Sequence, residues 1–140
     1  MAVRGEAGRS IALLVVRAGC GAMLFYLHGL DKLKAAYGHF AHGAEWQFPD
    51  MIASAGLPMA TALALYATFA EGIASLFLAA GALTRFAGLA IVLSMSGALY
   101  THIKTSTKPE LALLYLSVAL IFVVIDPGRF ALDSLRGRRR

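Results

Sequence analysis

The sequence predicts an all-α integral membrane protein, folded as an up-down four-helix bundle. Three observations lead there. Hydrophobic residues make up 59% of the 140 residues and charged residues only 15%, and the mean hydropathy of +0.68 exceeds what a soluble domain hides in a core. The apolar residues fall into four long runs, each near the length that crosses a bilayer. The connections Leu83 to Phe86 and Lys104 to Pro109 are short, so the helices they join must be antiparallel neighbours. No hydrophilic region is large enough for a second core, so residues 1–140 form one domain.

The first span is expected over 10–30, ahead of the phrase HGLDKL. Arg4 and Arg9 precede it as in a signal peptide, but its length and the lack of an A-x-A-like cleavage site favour a retained helix. The second and third spans are expected over 59–83 and 86–103, and most reach roughly 27 Å or more at 1.5 Å per residue. The fourth, 108–125, has a short apolar part. Its helix is expected to start near Thr107, with Pro109 in the first turn and Glu110 at the positive end of the helix dipole. The long connection 31–58 is read as an outer loop lying at the membrane interface. Tyr37, Phe40, Trp46 and Phe48 suit headgroup-level anchors there, and Pro49 to Ser54 a short interfacial helix ended by Gly56 and Pro58.

Charge sets the orientation. Arg4, Arg9, Arg85, Arg129, Arg136, Arg138, Arg139 and Arg140 fall on the side of the termini, against Lys32, Lys34, Lys104 and Lys108 on the other. The excess places both termini in the cytoplasm. The same basic C-terminus accounts for the net charge of +5 by meeting anionic headgroups, so no nucleic-acid partner is expected. Cys20 is the single cysteine, which excludes a CxxC pair and an internal disulfide. No phosphate-binding glycine loop or nucleophile elbow is present, and no haem or iron–sulfur ligand set.

Four phrases resemble the DoxX family: HGLDKL from His28, the Glu71 helix followed by GALTRFAGL from Gly81, YTHIK from Tyr100, and ELALLYL from Glu110 leading to DPGRFALD from Asp126. Their order and their placement at span ends carry the resemblance over nearly the whole chain. One departure is Asp126, where the family often has glycine. The resemblance implies a bacterial or archaeal inner-membrane protein linked to quinone-reducing sulfur oxidation and to thiol and oxidative-stress homeostasis. It also implies a site in the bundle core for a bound quinone or a small thiol or sulfur species, and a soluble or peripheral oxidoreductase as partner, beside the lipid bilayer itself; a homodimer is compatible with it.

Arg17 and Glu71 are the charged residues set well inside apolar runs, and an ionisable group there normally faces a partner or a cavity. Counted from the span ends, both lie near the same depth on antiparallel helices. Two roles are open to them. As an ion pair they would fix helix register; as a catalytic pair Glu71 would exchange a proton beside a small ligand with Arg17 tuning it. Arg17 and His28 are 11 residues apart, about 1100° of rotation, and so share one helix face to within about 20°. His28, Lys32, His102, Glu110 and Tyr115 sit at the outer ends of different spans, where they would form either a polar ligand mouth or a set of caps and interfacial hydrogen bonds. Without HExxH-type spacing no metal is expected.

The expected function is therefore that of a membrane subunit of a quinone-linked redox system with a small-ligand site in the bundle. The competing class is a non-catalytic scaffold whose Arg17–Glu71 pair is structural. A small-solute carrier is a third class, weakened by the absence of an inverted repeat.

Overall fold

The computed structural model describes residues 2–137, with side chains over 6–135. The tail arginines Arg138, Arg139 and Arg140 and the side chains of Arg4 and Arg136, all used above for orientation, lie outside the described residues. Those residues are helical throughout, with turns between. Helices α1 (Ala2–Leu24) and α2 (Leu30–His42) are joined without interruption by a π-helical turn, Phe25–Gly29; α3 is Gln47–Ser54. Helices α4 (Ala60–Phe69) and α5 (Ser75–Ala80) are likewise joined through a π-helical turn, Ala70–Ala74, and α6 (Thr84–Lys104), α7 (Glu110–Val124) and α8 (Leu132–Gly137) complete the chain.

Among the described residues, three helical runs are long and apolar enough to cross a membrane: Glu6–His42, Ala60–Ala80 and Thr84–Lys104. The apolar helix Glu110–Val124 is shorter, its 15 residues rising about 22 Å. It begins at Glu110 with Pro109 as the residue before its first turn, not at Thr107 as the sequence suggested. Thr105 N and Thr107 N are taken instead by the carbonyls of Thr101 and His102, which close the end of α6.

The outer connection differs most from expectation. Residues 31–42 are helix, so the first helical run has 37 residues and a rise of about 55 Å, well beyond a hydrocarbon layer of about 30 Å. Leu30, Leu33, Ala36, Tyr37 and Phe40 recur at helical spacing, and Asp31, Lys32 and Lys34 interrupt hydropathy without interrupting that period. The short helix is present as Gln47–Ser54. Pro49 sits in its first turn, where no intrahelical N–H is needed. Trp46 is not an interfacial anchor: it is buried with Ala36, Ile52 and Ala64 in a small outer core, whereas Tyr37 and Phe40 are exposed.

The main core lies between α1, α5, α6 and α7, around Leu24, Leu78, Ile91, Tyr115 and Phe122. Large apolar side chains such as Phe86, Leu93 and Val124 point outward, as suits lipid. In that solvent, helices gain little by leaving it and associate through close packing and polar contacts. Small residues supply the closeness. A Cβ on Gly21 would come within 2.5 Å of the Ser75 carbonyl, and one on Gly29 would collide with the Glu71 carbonyl. These contacts set the register of α1 and α2 against α4 and α5: Gly29 opposes Glu71 and Gly72, Gly21 opposes Ser75 to Ala79, and Arg17 opposes Gly81.

Candidate functional site

Glu71 is the second residue of the Ala70–Ala74 π turn and is 2% exposed. Its Oε2 accepts from Lys32 Nζ at 2.5 Å, and its Oε1 accepts from Ser94 Oγ of α6 at 3.2 Å. Lys32 follows Gly29 by three residues, on the same helix face, and the bare Gly29 lets the two backbones approach so that the lysine stem reaches the carboxylate. Its ammonium also lies 4.5 Å from the centre of the Phe48 ring of α3, a cation–π distance. One buried carboxylate is thus held by groups from α2 and α6, and its counter-ion by an aromatic ring from α3. Both π turns leave the usual hydrogen-bond ladder here, and Ser75 Oγ donates to the Glu71 carbonyl at 2.5 Å.

This cluster forms part of the wall of a cavity of about 400 Å³ between α3, α4 and α6. Phe48, Ile52, Leu57, Leu63 and Leu93 give it an apolar lining; Lys32, Glu71 and Ser94 add one polar group, and Thr101, His102 and Thr107, from the end of α6 and the turn after it, another. His102 is held by a 2.6 Å contact between its Nδ1 and Thr107 Oγ1. Tyr66, also on the wall, donates to the Ala90 carbonyl at 2.9 Å and braces α4 against α6. Leu63 and Leu93 are 37% and 56% exposed on the outward faces of α4 and α6, so the cavity borders the lipid-facing surface.

Of the residues singled out from sequence, Glu71, Lys32 and His102 meet at this cavity. His28 and Tyr115 do not line it. They pair with each other, ring centres 5.9 Å apart and nearly perpendicular, with Tyr115 in the main core. Glu110 is exposed at the first turn of α7, where its charge favours the helix N-terminus. Among the described residues, no three His, Cys, Asp or Glu side chains are grouped so as to hold a metal ion.

The Arg17–Glu71 ion pair is corrected by the register. Arg17 lies 12 residues before Gly29, about 18 Å along the helix, and faces the turn after α5. Arg17 is 1% exposed, with its guanidinium directly against the Gly81 backbone. Nη2 donates to the Phe130 carbonyl at 3.4 Å, Nε and Nη1 have no hydrogen-bond partner among the described residues, and Asp133 is a negative charge that acts on it. Counting depth from span ends failed because Ser10 is not the start of the helix and Met59 is not at the level of Leu30.

Asp133, in the segment after α7, reaches back to the turn before α6. Its Oδ1 accepts from Leu83 N at 2.8 Å, and its Oδ2 from Thr84 N at 2.9 Å and Thr84 Oγ1 at 2.8 Å. It caps α6 from 50 residues away. Sequence reasoning also passed over Ser94 and Phe48 as partners of the buried charges; only the three-dimensional register brings them there.

The profile of the DoxX family matches residues 12–103, from α1 to the end of α6. The chain belongs to the DoxX family. This DoxX protein is a multi-pass membrane protein with the bilayer as its surroundings, and the matched segment contains Lys32, Phe48, Glu71, Ser94 and His102. The phrases from Glu110 and Asp126 lie beyond it. No curated protein and no solved structure matches the chain.

Proposed function

We propose that this DoxX protein is the membrane subunit of a redox system and holds a quinone-type ligand in the cavity beside Lys32 and Glu71. In this reading the four apolar helices stand as an up-down bundle in a bacterial or archaeal inner membrane, both termini are cytoplasmic, and a soluble or peripheral oxidoreductase supplies the electrons. The carrying observation is a buried Lys32–Glu71–Ser94 cluster set in the wall of an otherwise apolar cavity of about 400 Å³ that borders the lipid face. A planar ring with carbonyl acceptors suits such a space: apolar walls and Phe48 for the ring, and polar donors at one end for its oxygens.

Lys32 has one N–H on Glu71 and can offer another to an acceptor, while His102 and Thr107 supply polar groups at the outer end. A quinone supplies reversible two-electron, two-proton chemistry when bound. The chain's own contribution is to hold the ring away from water, to orient one oxygen by Lys32, and to keep Glu71 and Lys32 as paired proton-holding groups next to it. Arg17 takes no part at this site; its place is under the C-terminal segment.

The test is to purify the protein in native lipids, extract it, and identify co-purifying molecules by mass spectrometry, with Lys32→Met and Phe48→Ala beside wild type. A quinone in near-stoichiometric amount, lost in both variants, supports the reading. The second reading is a scaffold without a ligand, favoured by the completeness with which Lys32 and Ser94 already satisfy Glu71. A wild type that carries no such molecule and does not take up added quinone would establish the scaffold.

A further inference from the structure

We infer that Glu71 makes this cavity anion-excluding, so that the site takes uncharged, lipid-soluble acceptors and rejects anionic ones, including sulfur oxyanions and thiolates. The inference rests on the ligand cavity of the proposed function. Lys32 and Glu71 are the lysine and carboxylate on its wall, and their charges face each other at 2.5 Å. The lysine side chain is 24% exposed and the carboxylate 3%, so the cation that a ligand would meet is already neutralised from behind by its partner.

An anion entering here would shed its hydration, meet a cation already satisfied, and approach a buried carboxylate in an apolar surround. Each step is unfavourable, because desolvation of an ion is recovered only by an unsatisfied partner of opposite sign. A neutral carbonyl needs only one of the remaining ammonium N–H groups. Ser94 donates to the other carboxylate oxygen, Oε1, at 3.2 Å, so that both oxygens of Glu71 are engaged by the protein. The bordering side chains Leu63 and Leu93 make the approach from the lipid side equally poor for an anion. Glu71 on this view is a specificity-determining residue, and Lys32 alone would be an anion site.

The test uses two probes of one shape, naphthoquinone and its sulfonate, titrated by calorimetry into the full chain in zwitterionic nanodiscs. Wild type should bind naphthoquinone and not the sulfonate. Glu71→Gln leaves Lys32 unbalanced and should gain sulfonate binding by roughly tenfold or more, the scale of one uncompensated charge. Lys32→Gln with Glu71→Gln, which removes both charges, should lose it again. Thr101→Lys adds a cation to the cavity wall without touching the pair and should gain sulfonate binding too, so the proposal stays testable if the Glu71 variant does not fold. Sulfonate bound by wild type as tightly as by Glu71→Gln overturns the inference, as does a folded Glu71→Gln and Thr101→Lys that both refuse it. Failure of naphthoquinone in every form would instead remove the quinone reading, while a sulfonate gain in the two variants would still uphold the exclusion.

Discussion

Lys32 and Glu71, 39 residues apart in sequence, form a 2.5 Å ion pair that joins the outer extension of the first helical run to the π turn of the second. The carboxylate is buried, so removing its partner leaves a charge with one hydroxyl donor. Lys32→Met alone is expected to destabilise by about 3 kcal/mol. Lys32→Met combined with Glu71→Leu should recover most of that loss, since replacing both members of a buried pair by apolar groups is often neutral. Thermal unfolding in a mild detergent, run on the two single variants and the double, gives the coupling.

The same cycle separates Lys32 from Arg17 as the partner of Glu71. Arg17→Leu and Glu71→Leu change sites at opposite ends of the packed segment, and their effects should add to within about 0.5 kcal/mol. A strong recovery in that double variant would restore the Arg17–Glu71 pairing that the sequence suggested.

Much of the architecture was legible in the sequence because it depends on composition and period. The apolar runs, the short helix near Pro49 and the chemical interest of Glu71, Lys32 and His102 all came from residue type and spacing. Partnership was not legible. It depends on register, which is fixed by Gly21, Gly29 and Gly81 at points of backbone contact, and each of these reads in sequence only as a small residue. Asp31, Lys32 and Lys34 have the polarity of a span end, although α2 continues through them. Trp46 was read as an anchor from its type alone, when its neighbours in space bury it.

Glycine substitutions should divide sharply. Gly81 has φ +72° and a Cβ there would overlap the Arg17 guanidinium and crowd Ala131 at 2.7 Å. Gly81→Ala is therefore expected to cost 2 kcal/mol or more, about 1 of it from the left-handed backbone. Gly19 is helical with nothing near its Cβ position, so Gly19→Ala should be neutral or stabilising by about 0.5–1 kcal/mol. Melting temperatures of the two variants in the same detergent check the contrast.

Gly29→Ala addresses the site directly. The added methyl would strike the Glu71 carbonyl and the Gly72 Cα and push the two π turns apart. The Lys32–Glu71 contact should lengthen, and stability and ligand affinity should fall together. The chain's single tryptophan, Trp46, packs in the outer core with Ile52, a residue that also lines the cavity. Quenching of its fluorescence by added naphthoquinone reports binding, and a Gly29→Ala protein that melts clearly below wild type and, at a temperature where it is still folded, is quenched several-fold less is the expected result.

Asp133 should act as a long-range cap. Asp133→Ala removes the acceptor for Leu83 N, Thr84 N and Thr84 Oγ1 and a negative charge near the buried Arg17. A lost cap costs about 1 kcal/mol, up to 2 in favourable cases, and the uncompensated guanidinium adds to it. Asp133→Asn keeps an acceptor oxygen for the helix end but not the charge, so it should lie between wild type and Asp133→Ala. The loss should be local. Because Asp133 N also donates to the Gly81 carbonyl, the C-terminal segment and the turn before α6 are held together, and limited proteolysis should cut Asp133→Ala first after Arg129 or within 81–85. Cleavage appearing first in 43–46 instead would show that the outer connection, and not this inner contact, is the weakest point of the fold.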